Sequence, residues 1–104
     1  MTMLKTFDAV DMTVTGALDT LELGETPFQL GGNALIYFPA AIGGAGVITL
    51  EGSGDDDTWE TIRTINAAQS APRWIEVTDL PGYIRMNVTV AGTGTFTPTF
   101  HGVQ

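Results

Sequence analysis

Hydrophobic and polar residues alternate along much of this chain, most clearly near its C-terminus. In Tyr83–Val90 every second residue is apolar, and the residues between them are polar or amphipathic. After the turn-like segment Ala91–Gly94, the alternation resumes with Phe96, Pro98 and Phe100. Successive side chains of a strand point to opposite faces of a sheet, so this pattern predicts a β-hairpin with one buried and one solvated face.

Two earlier segments show the same preference for strands. In Val10–Thr15 the residues expected to point inward are Val10, Met12 and Val14. The segment Asn33–Phe38 is apolar on both faces, which predicts a central strand that is covered on both sides.

The segment 59–65 is ambiguous by spacing alone. Its apolar residues Trp59, Ile62 and Ile65 are three apart, which also fits one or two helical turns. The β-branched content and short length favour a strand. With the other alternating segments, the chain has about eight short strands at regular spacing, as in sandwiches and barrels. We therefore predict an all-β fold, a single-domain antiparallel β-sandwich of jelly-roll-like form.

A chain of 104 residues is near the common size of one domain and can form a single core. Residues 10–104 are the predicted sandwich domain. Residues 1–9 carry Leu4 and Phe7 without a clear period, so two interpretations stay open: an N-terminal arm or a first short strand.

Charge and composition exclude several classes of partner. Twelve acidic and four basic residues give a formal net charge of −8, which would repel a phosphate backbone, so we expect no nucleic-acid partner. No apolar run approaches the roughly 20 residues of a membrane-spanning helix, so we expect no membrane partner. The first residues lack the apolar region of a signal peptide, and the chain has no cysteine, which fits synthesis in a reducing cytoplasm.

The candidates for chemistry are few. His101 is the only histidine, and neither Ser53 nor Ser70 lies in a nucleophile-elbow context. Asp55–Asp57 is rich in oxygen but lacks the spacing of a calcium-binding loop, so a solvated turn is the favoured interpretation. We predict no catalytic residue, no metal site and no cofactor, and hence a protein that is not an enzyme.

Candidate interface residues come from three parts of the chain. Trp74 and Tyr83 lie opposite the aliphatic residues of their strands, and aromatic residues and arginine are enriched where proteins bind one another. The apolar loop 40–46 suggests insertion into a partner, and residues 1–9 suggest an attachment arm. The resulting set is Leu4, Phe7, Ile42, Trp74, Tyr83 and Arg85.

Three blocks of the chain carry a resemblance to a known group of proteins: residues 47–59, 73–77 and 80–88. Their order is a strand, a Gly-Ser-x-Asp turn, a Trp and a late Tyr-Ile-Arg strand. Over residues 46–104 the chain resembles small virion proteins of tailed bacteriophages. A similar order of motifs occurs in discoidin-like, galactose-binding sandwiches, but this chain is much shorter than those domains.

The resemblance implies a head decoration (cement) protein on the outer surface of the phage capsid. Such a protein binds the major capsid protein in many copies and stabilises the head, often as a homotrimer. Two alternatives stay open. One is a carbohydrate-binding module displayed on the virion, which would use Trp59, Trp74, Tyr83 and Asp55–Asp57; the other is a tail or neck component.

Overall fold

The computed structural model describes residues 2–23, 32–40, 42–66 and 73–103. Within these residues the chain forms eleven strands, several of only two residues. The strands are β1 (Thr2–Thr6), β2 (Val10–Asp11), β3 (Gly16–Ala17), β4 (Leu21–Glu22), β5 (Gly32–Phe38), β6 (Val47–Ser53), β7 (Glu60–Asn66), β8 (Arg73–Leu80), β9 (Tyr83–Val90), β10 (Thr95–Phe96) and β11 (Thr99–Val103).

Two larger sheets and one small ribbon account for these strands. The four-stranded sheet has the order β1-β11-β5-β8, and the five-stranded sheet has the order β3-β9-β6-β7 with β4 also paired to β9. The ribbon pairs β10 with β2, and every strand pairing is antiparallel. The prediction of an all-β sandwich is therefore confirmed.

The hydrophobic core lies between the sheets, where alternate residues of each strand point inward. From the four-stranded sheet come Ile36 and Phe100, and from the five-stranded sheet come Leu50 and Met86, each no more than 1% exposed. Burial of a side chain of this size contributes about 1.5–3 kcal/mol. The period-two pattern of the sequence therefore fixes which face of each strand is buried.

The predicted C-terminal hairpin is wrong. Strand β9 pairs with β6, β3 and β4 in the five-stranded sheet, whereas β10 pairs with β2 and β11 lies between β1 and β5. The buried faces are as predicted for Phe96 and Phe100, although Val90 is 45% exposed. Alternation identifies the buried face of a strand but not its neighbour, and the segment between Val90 and Thr95 takes the chain out of the five-stranded sheet.

The predicted strand over residues 10–15 is shorter than expected because Asp11 forms a turn. Its Oδ1 accepts hydrogen bonds from Thr13 N–H at 2.9 Å and from Thr13 Oγ1 at 2.7 Å. These bonds, the side-chain one first, lower the pKa of the Asp11 carboxyl. Val14 N–H donates to the Asp11 carbonyl at 3.2 Å, and Val14 is 61% exposed instead of pointing inward.

Two segments that had alternative interpretations are strands. Residues Glu60–Asn66 form β7 beside β6, so the strand interpretation of this segment is confirmed. Residues Thr2–Thr6 form β1, which pairs with β11 at one edge of the four-stranded sheet. The side chain of Phe7 follows directly and is buried in the core.

Candidate interaction surface

The outer face of β5 is open to solvent, although the sequence predicts that it is covered. Ala34, Ile36 and Phe38 point into the core, but Leu35 on the opposite face is 38% exposed and Tyr37 is only half-buried. The prediction of a strand covered on both sides is therefore wrong for the described residues. The sequence of β5 has the character of a doubly covered strand, but none of the described strands covers its outer face.

The strand register places these open side chains in two rows across the four-stranded sheet. One row is Leu4, His101, Leu35 and Glu76, and the next is Thr6, Thr99, Tyr37 and Trp74. We call the apolar and aromatic part of these rows, namely Leu4, Leu35, Tyr37, Trp74 and His101, the outer sheet face. Five large hydrophobic side chains among the described residues are exposed, and three of them, Leu4, Leu35 and Trp74, belong to this face.

Three rings at the centre of the outer sheet face hold one another in place. The ring centroids of Trp74 and Tyr37 are 4.7 Å apart at an interplanar angle of 39°. The Trp74 and His101 rings meet edge-on at 4.8 Å, and Thr99 Oγ1 shares a hydrogen bond of 2.8 Å with His101 Nε2. Aromatic pairs of this kind contribute about 0.5–1.5 kcal/mol each. Trp74 is thus held in position while 49% of it stays exposed.

The outer sheet face is almost free of charge. In a chain with a formal net charge of −8, the two rows contain a single carboxylate, Glu76, which lies on the edge strand β8. Depletion of charge together with aromatic enrichment is the compositional signal of the core of a protein–protein interface. The face therefore has the chemistry of a surface that binds protein.

The outer face of the five-stranded sheet has the opposite character. Arg85 Nε lies 2.7 Å from Glu51 Oε1, and Asn87 Nδ2 donates to Glu51 Oε2 at 3.1 Å. The Arg85 guanidinium carbon also lies 4.1 Å from the centroid of the Trp59 ring. The polar groups of Arg85, Asn87 and Glu51 are hydrogen-bonded to one another, and the Trp59 ring is in contact with Arg85. These charged and aromatic groups are therefore already engaged within the protein.

Four of the six predicted interface residues lie on the surface, but not together. Leu4 and Trp74 belong to the outer sheet face, whereas Tyr83 and Arg85 lie on the outer face of the five-stranded sheet. The predicted patch of Trp74, Tyr83 and Arg85 therefore does not form. Strands β8 and β9 are consecutive in the chain but belong to different sheets, which alternation within each strand cannot reveal.

Phe7 and Ile42 are core residues in this structure, at 4% and 6% exposure, so neither offers surface to a partner. The loop that carries Ile42 is tied to the body of the protein. Gly43 N–H donates to the Thr93 carbonyl at 2.9 Å, and Thr93 N–H donates to the Gly43 carbonyl at 3.1 Å. Ile42 thus inserts into the protein's own core and not into a partner.

Leu35, Tyr37 and His101 lie on the outer sheet face but are not among the interface residues predicted from the sequence. The pattern of Asn33–Phe38 predicts that Leu35 and Tyr37 are covered by the protein itself, and His101 was considered only as a candidate catalytic residue. A signal was present: in a small sandwich each sheet has only one inner face, so a strand that is apolar on both faces must expose one of them or bind a partner.

Among the three aspartates at the β6–β7 turn, Asp55 organises the backbone of the turn. Asp55 Oδ1 accepts hydrogen bonds from Thr58 N–H at 2.8 Å, Ser53 Oγ at 2.9 Å and Asp57 N–H at 3.0 Å. The bonds from Thr58, Ser53 and Asp57, in that order, lower the pKa of Asp55 to about 2. Asp56 adopts a left-handed conformation at φ 59°.

An open groove of about 470 Å³ adjoins this turn and contains Ser53, Glu60 and Asp79 among its lining residues. The Ser53 hydroxyl donates to Asp55, and the only histidine of the chain lies on the other sheet. Across the described residues, no group of three or more His, Asp or Glu side chains is arranged to hold a metal ion. The Ser53 hydroxyl is therefore part of the hydrogen bonding of the turn, and no histidine lies beside it in the described lining of the groove.

No protein-family model matches this chain, and no curated protein matches it at a significant level. In the part of the chain that the structure describes, there is no helix with the length and hydrophobicity to cross a membrane.

Proposed function

We propose that this protein is a non-enzymatic structural protein of a phage virion, and specifically a decoration protein that binds the outer surface of the capsid. The observation that carries the proposal is the outer sheet face, where Leu4, Leu35 and Trp74 remain exposed on one sheet of a well-packed sandwich. Its partner would be the major capsid protein, and its location the assembled virion. The resemblance of residues 46–104 to small phage virion proteins supports this choice of partner.

The size of the outer sheet face fits attachment in many copies. Four strands at about 4.8 Å and five residues at about 3.4 Å give a face of roughly 300 Å² in projection. A stable interface between two proteins needs about 800 Å² from each partner. One copy would therefore bind weakly through this face alone, and repeated or linked copies on a symmetric shell would add avidity. The homotrimer suggested by the resemblance is one such arrangement.

The stabilising mechanism follows from mass action. A protein that binds only the intact shell lowers the free energy of that shell and leaves the dissociated subunits unaffected. Burial of Trp74 against a capsid subunit would supply the anchor, since tryptophan is enriched among the residues that dominate interface energies.

Binding to undecorated capsids of the parent phage tests the proposal. We expect saturable binding and a higher capsid melting temperature, with Trp74→Ala weakening the affinity by about 2 kcal/mol, or roughly thirtyfold. The matched control is Trp59→Ala, which removes a tryptophan that packs under Arg85 on the five-stranded side, and it should leave the affinity unchanged. Absence of saturable binding would refute the decoration function, and equal binding by Trp74→Ala would refute the role of this face.

A carbohydrate-binding function is the second candidate, and one observation favours a reduced form of it. The sugar platform suggested by the sequence cannot form as a unit, because Trp59 and Tyr83 belong to the five-stranded side and Trp74 to the four-stranded sheet. Trp74 with Tyr37 still offers exposed aromatic surface. A glycan array probed with the protein and with Trp74→Ala separates this candidate from capsid binding, and immunolabelled virions distinguish a head from a tail or neck location.

A further inference from the structure

We propose that two copies of this chain pair through the open edge of β1, antiparallel and about a two-fold axis at Leu4, to form one continuous eight-stranded sheet. This pairing goes beyond the proposed function and does not depend on it. A sheet edge can pair with a second copy regardless of which partner the outer sheet face binds.

The two edges of the four-stranded sheet differ in whether their outward backbone groups have hydrogen-bond partners. At the β8 edge, Arg63 Nη1 donates a hydrogen bond of 2.8 Å to the Glu76 carbonyl, so a side chain from β7 occupies a backbone acceptor there. At the other edge, β1 pairs with β11 on one side, and none of the described strands pairs with its other side. Native proteins protect sheet edges because unpaired backbone groups recruit further strands. Among the described residues, the β1 edge is therefore the more open of the two.

The exposure of Leu4 points to a missing neighbour on this open side. Leu4 and Leu35 lie in the same row on either side of His101, yet Leu4 is 68% exposed and Leu35 only 38%. Leu35 has a strand on each side, whereas Leu4 has one on a single side. A strand beyond β1 would give Leu4 the surroundings that Leu35 already has.

The backbone direction along β1 follows from one hydrogen bond. Phe7 N–H donates to the Pro98 carbonyl at 3.1 Å, so the backbone groups of Phe7 point towards the β11 side. In an antiparallel pair the residues of a strand alternate between hydrogen-bonded and non-hydrogen-bonded positions. By this alternation Lys5 points its backbone groups to β11, and Thr2, Leu4 and Thr6 point theirs to the open edge.

This alternation selects one register for a symmetric pair. Antiparallel pairing requires edge-facing residues opposite each other, and a two-fold axis at Leu4 places Leu4 opposite its own copy and Thr2 opposite Thr6. All three edge-facing residues of each copy are then paired. Axes at Thr2 or Thr6 would pair only one of the three residues, and axes at Met3 or Lys5 only two. In the Leu4 register Lys5 lies opposite Met3, so no like charges meet.

The pair also extends the outer sheet face. A two-fold axis perpendicular to the sheet keeps the same face of both copies on the same side. Two faces of roughly 300 Å² each then join into one of about 600 Å², which approaches the 800 Å² or so of a standard interface. The occupant that fits the β1 edge is therefore a second copy of this chain, since it completes both the backbone pairing and the apolar row.

Engineered cysteines test the register, because the natural chain contains none. In the Leu4 register, Leu4→Cys places two thiols opposite each other with Cα atoms about 5.5 Å apart, within reach of a disulfide or a short bismaleimide. The control is Val14→Cys, since Val14 is 61% exposed but lies away from the β1 edge. We expect covalent dimers from Leu4→Cys and not from Val14→Cys. Equal cross-linking of both variants would overturn the proposal.

Proline substitution tests the hydrogen bonds themselves. Leu4→Pro removes an N–H that points to the open edge, a position where edge strands tolerate proline, so the chain should fold as before. Sedimentation velocity should show twice the chain mass of 11.0 kDa for the unaltered protein and a monomer for Leu4→Pro. Circular dichroism checks the fold. If Leu4→Pro unfolds, Leu4→Lys is used instead, because it would place two positive charges opposite each other across the two-fold axis. A monomeric or trimeric unaltered protein, or a dimer that survives the folded variant, would overturn the pairing.

Discussion

Arg85 and Glu51 face each other across β9 and β6, and Arg85 Nε lies 2.7 Å from Glu51 Oε1. Their side chains are 24% and 14% exposed, so the ion pair is largely shielded from water. The guanidinium also covers the Trp59 ring. These side chains on the outer face of the five-stranded sheet therefore contact one another, and this contrast with the exposed face around Trp74 is why we propose that a partner binds the four-stranded side.

Removal of Arg85 should destabilise the fold. Arg85→Met leaves the partly buried Glu51 carboxylate with one fewer charged hydrogen-bond partner, and we expect a loss of about 1.5–3 kcal/mol in the free energy of unfolding. Urea denaturation of the single variants and of Arg85→Met with Glu51→Gln measures the coupling. If the losses of the two single variants simply add in the double variant, the ion pair contributes nothing to stability.

Gly92, in the connection between β9 and β10, should also be sensitive to substitution. A Cβ at Gly92 would lie 2.4 Å from the Gly43 carbonyl oxygen and 2.7 Å from the Gly46 Cα, and these backbone atoms cannot move independently. We expect Gly92→Ala to cost about 1–3 kcal/mol, the usual range for overpacking. Gly54→Ala is the control, because a Cβ there meets nothing within 4 Å. Thermal unfolding of both variants checks this, and an equal effect would contradict the close packing.

The alternation of the sequence predicts the buried faces well and the strand neighbours badly. Ile84, Met86 and Val88 are buried as predicted, because the side-chain period of a strand is a local property of the backbone. The sheet to which each strand belongs depends on contacts between distant parts of the chain. For that reason Trp74 and Tyr83 were expected to share a surface and do not.

The outer sheet face could not be predicted from the sequence for a related reason. A strand that is apolar on both sides has the same pattern whether its second cover is a sheet of its own chain or another protein. Leu35 and Tyr37 therefore looked like core residues. The strand register was needed to bring them beside Trp74 and His101, which come from β8 and β11. A surface assembled from four strands leaves no contiguous motif in the sequence.

Leu50→Ala and Leu35→Ala form a matched pair of substitutions, because Leu50 is buried in the core and Leu35 is partly exposed. Leu50 is fully buried between the sheets, so Leu50→Ala should lower the free energy of unfolding by about 2–5 kcal/mol through lost burial and a residual cavity. Leu35→Ala removes a side chain that is already 38% exposed and should cost clearly less. Denaturant midpoints of the two variants provide the comparison. Similar losses would mean that the face around Leu35 is covered in solution.

The turn held by Asp55 should respond to acid within a defined range of pH. Hydrogen bonds from Thr58, Ser53 and Asp57 lower its pKa to about 2, below the value of about 3.9 expected for an unfolded chain. A carboxyl whose pKa is lower in the folded protein stabilises the fold above the unfolded pKa and loses that contribution as the pH falls through the folded one. The stabilisation from Asp55 is therefore complete above about pH 4 and declines towards pH 2. Carboxyl carbon chemical shifts followed by NMR across this range should give an Asp55 midpoint near 2.

Asp55→Asn is the control for this charge effect, because the amide oxygen can still accept hydrogen bonds from Thr58 and Ser53 but carries no charge. The variant should be less stable than the unaltered protein at neutral pH, since hydrogen bonds to an ionised acceptor are the stronger ones. Unfolding curves recorded between about pH 5 and pH 2 should show this difference shrinking as Asp55 becomes protonated. A difference that stays constant over that range would mean that geometry, and not charge, holds the turn.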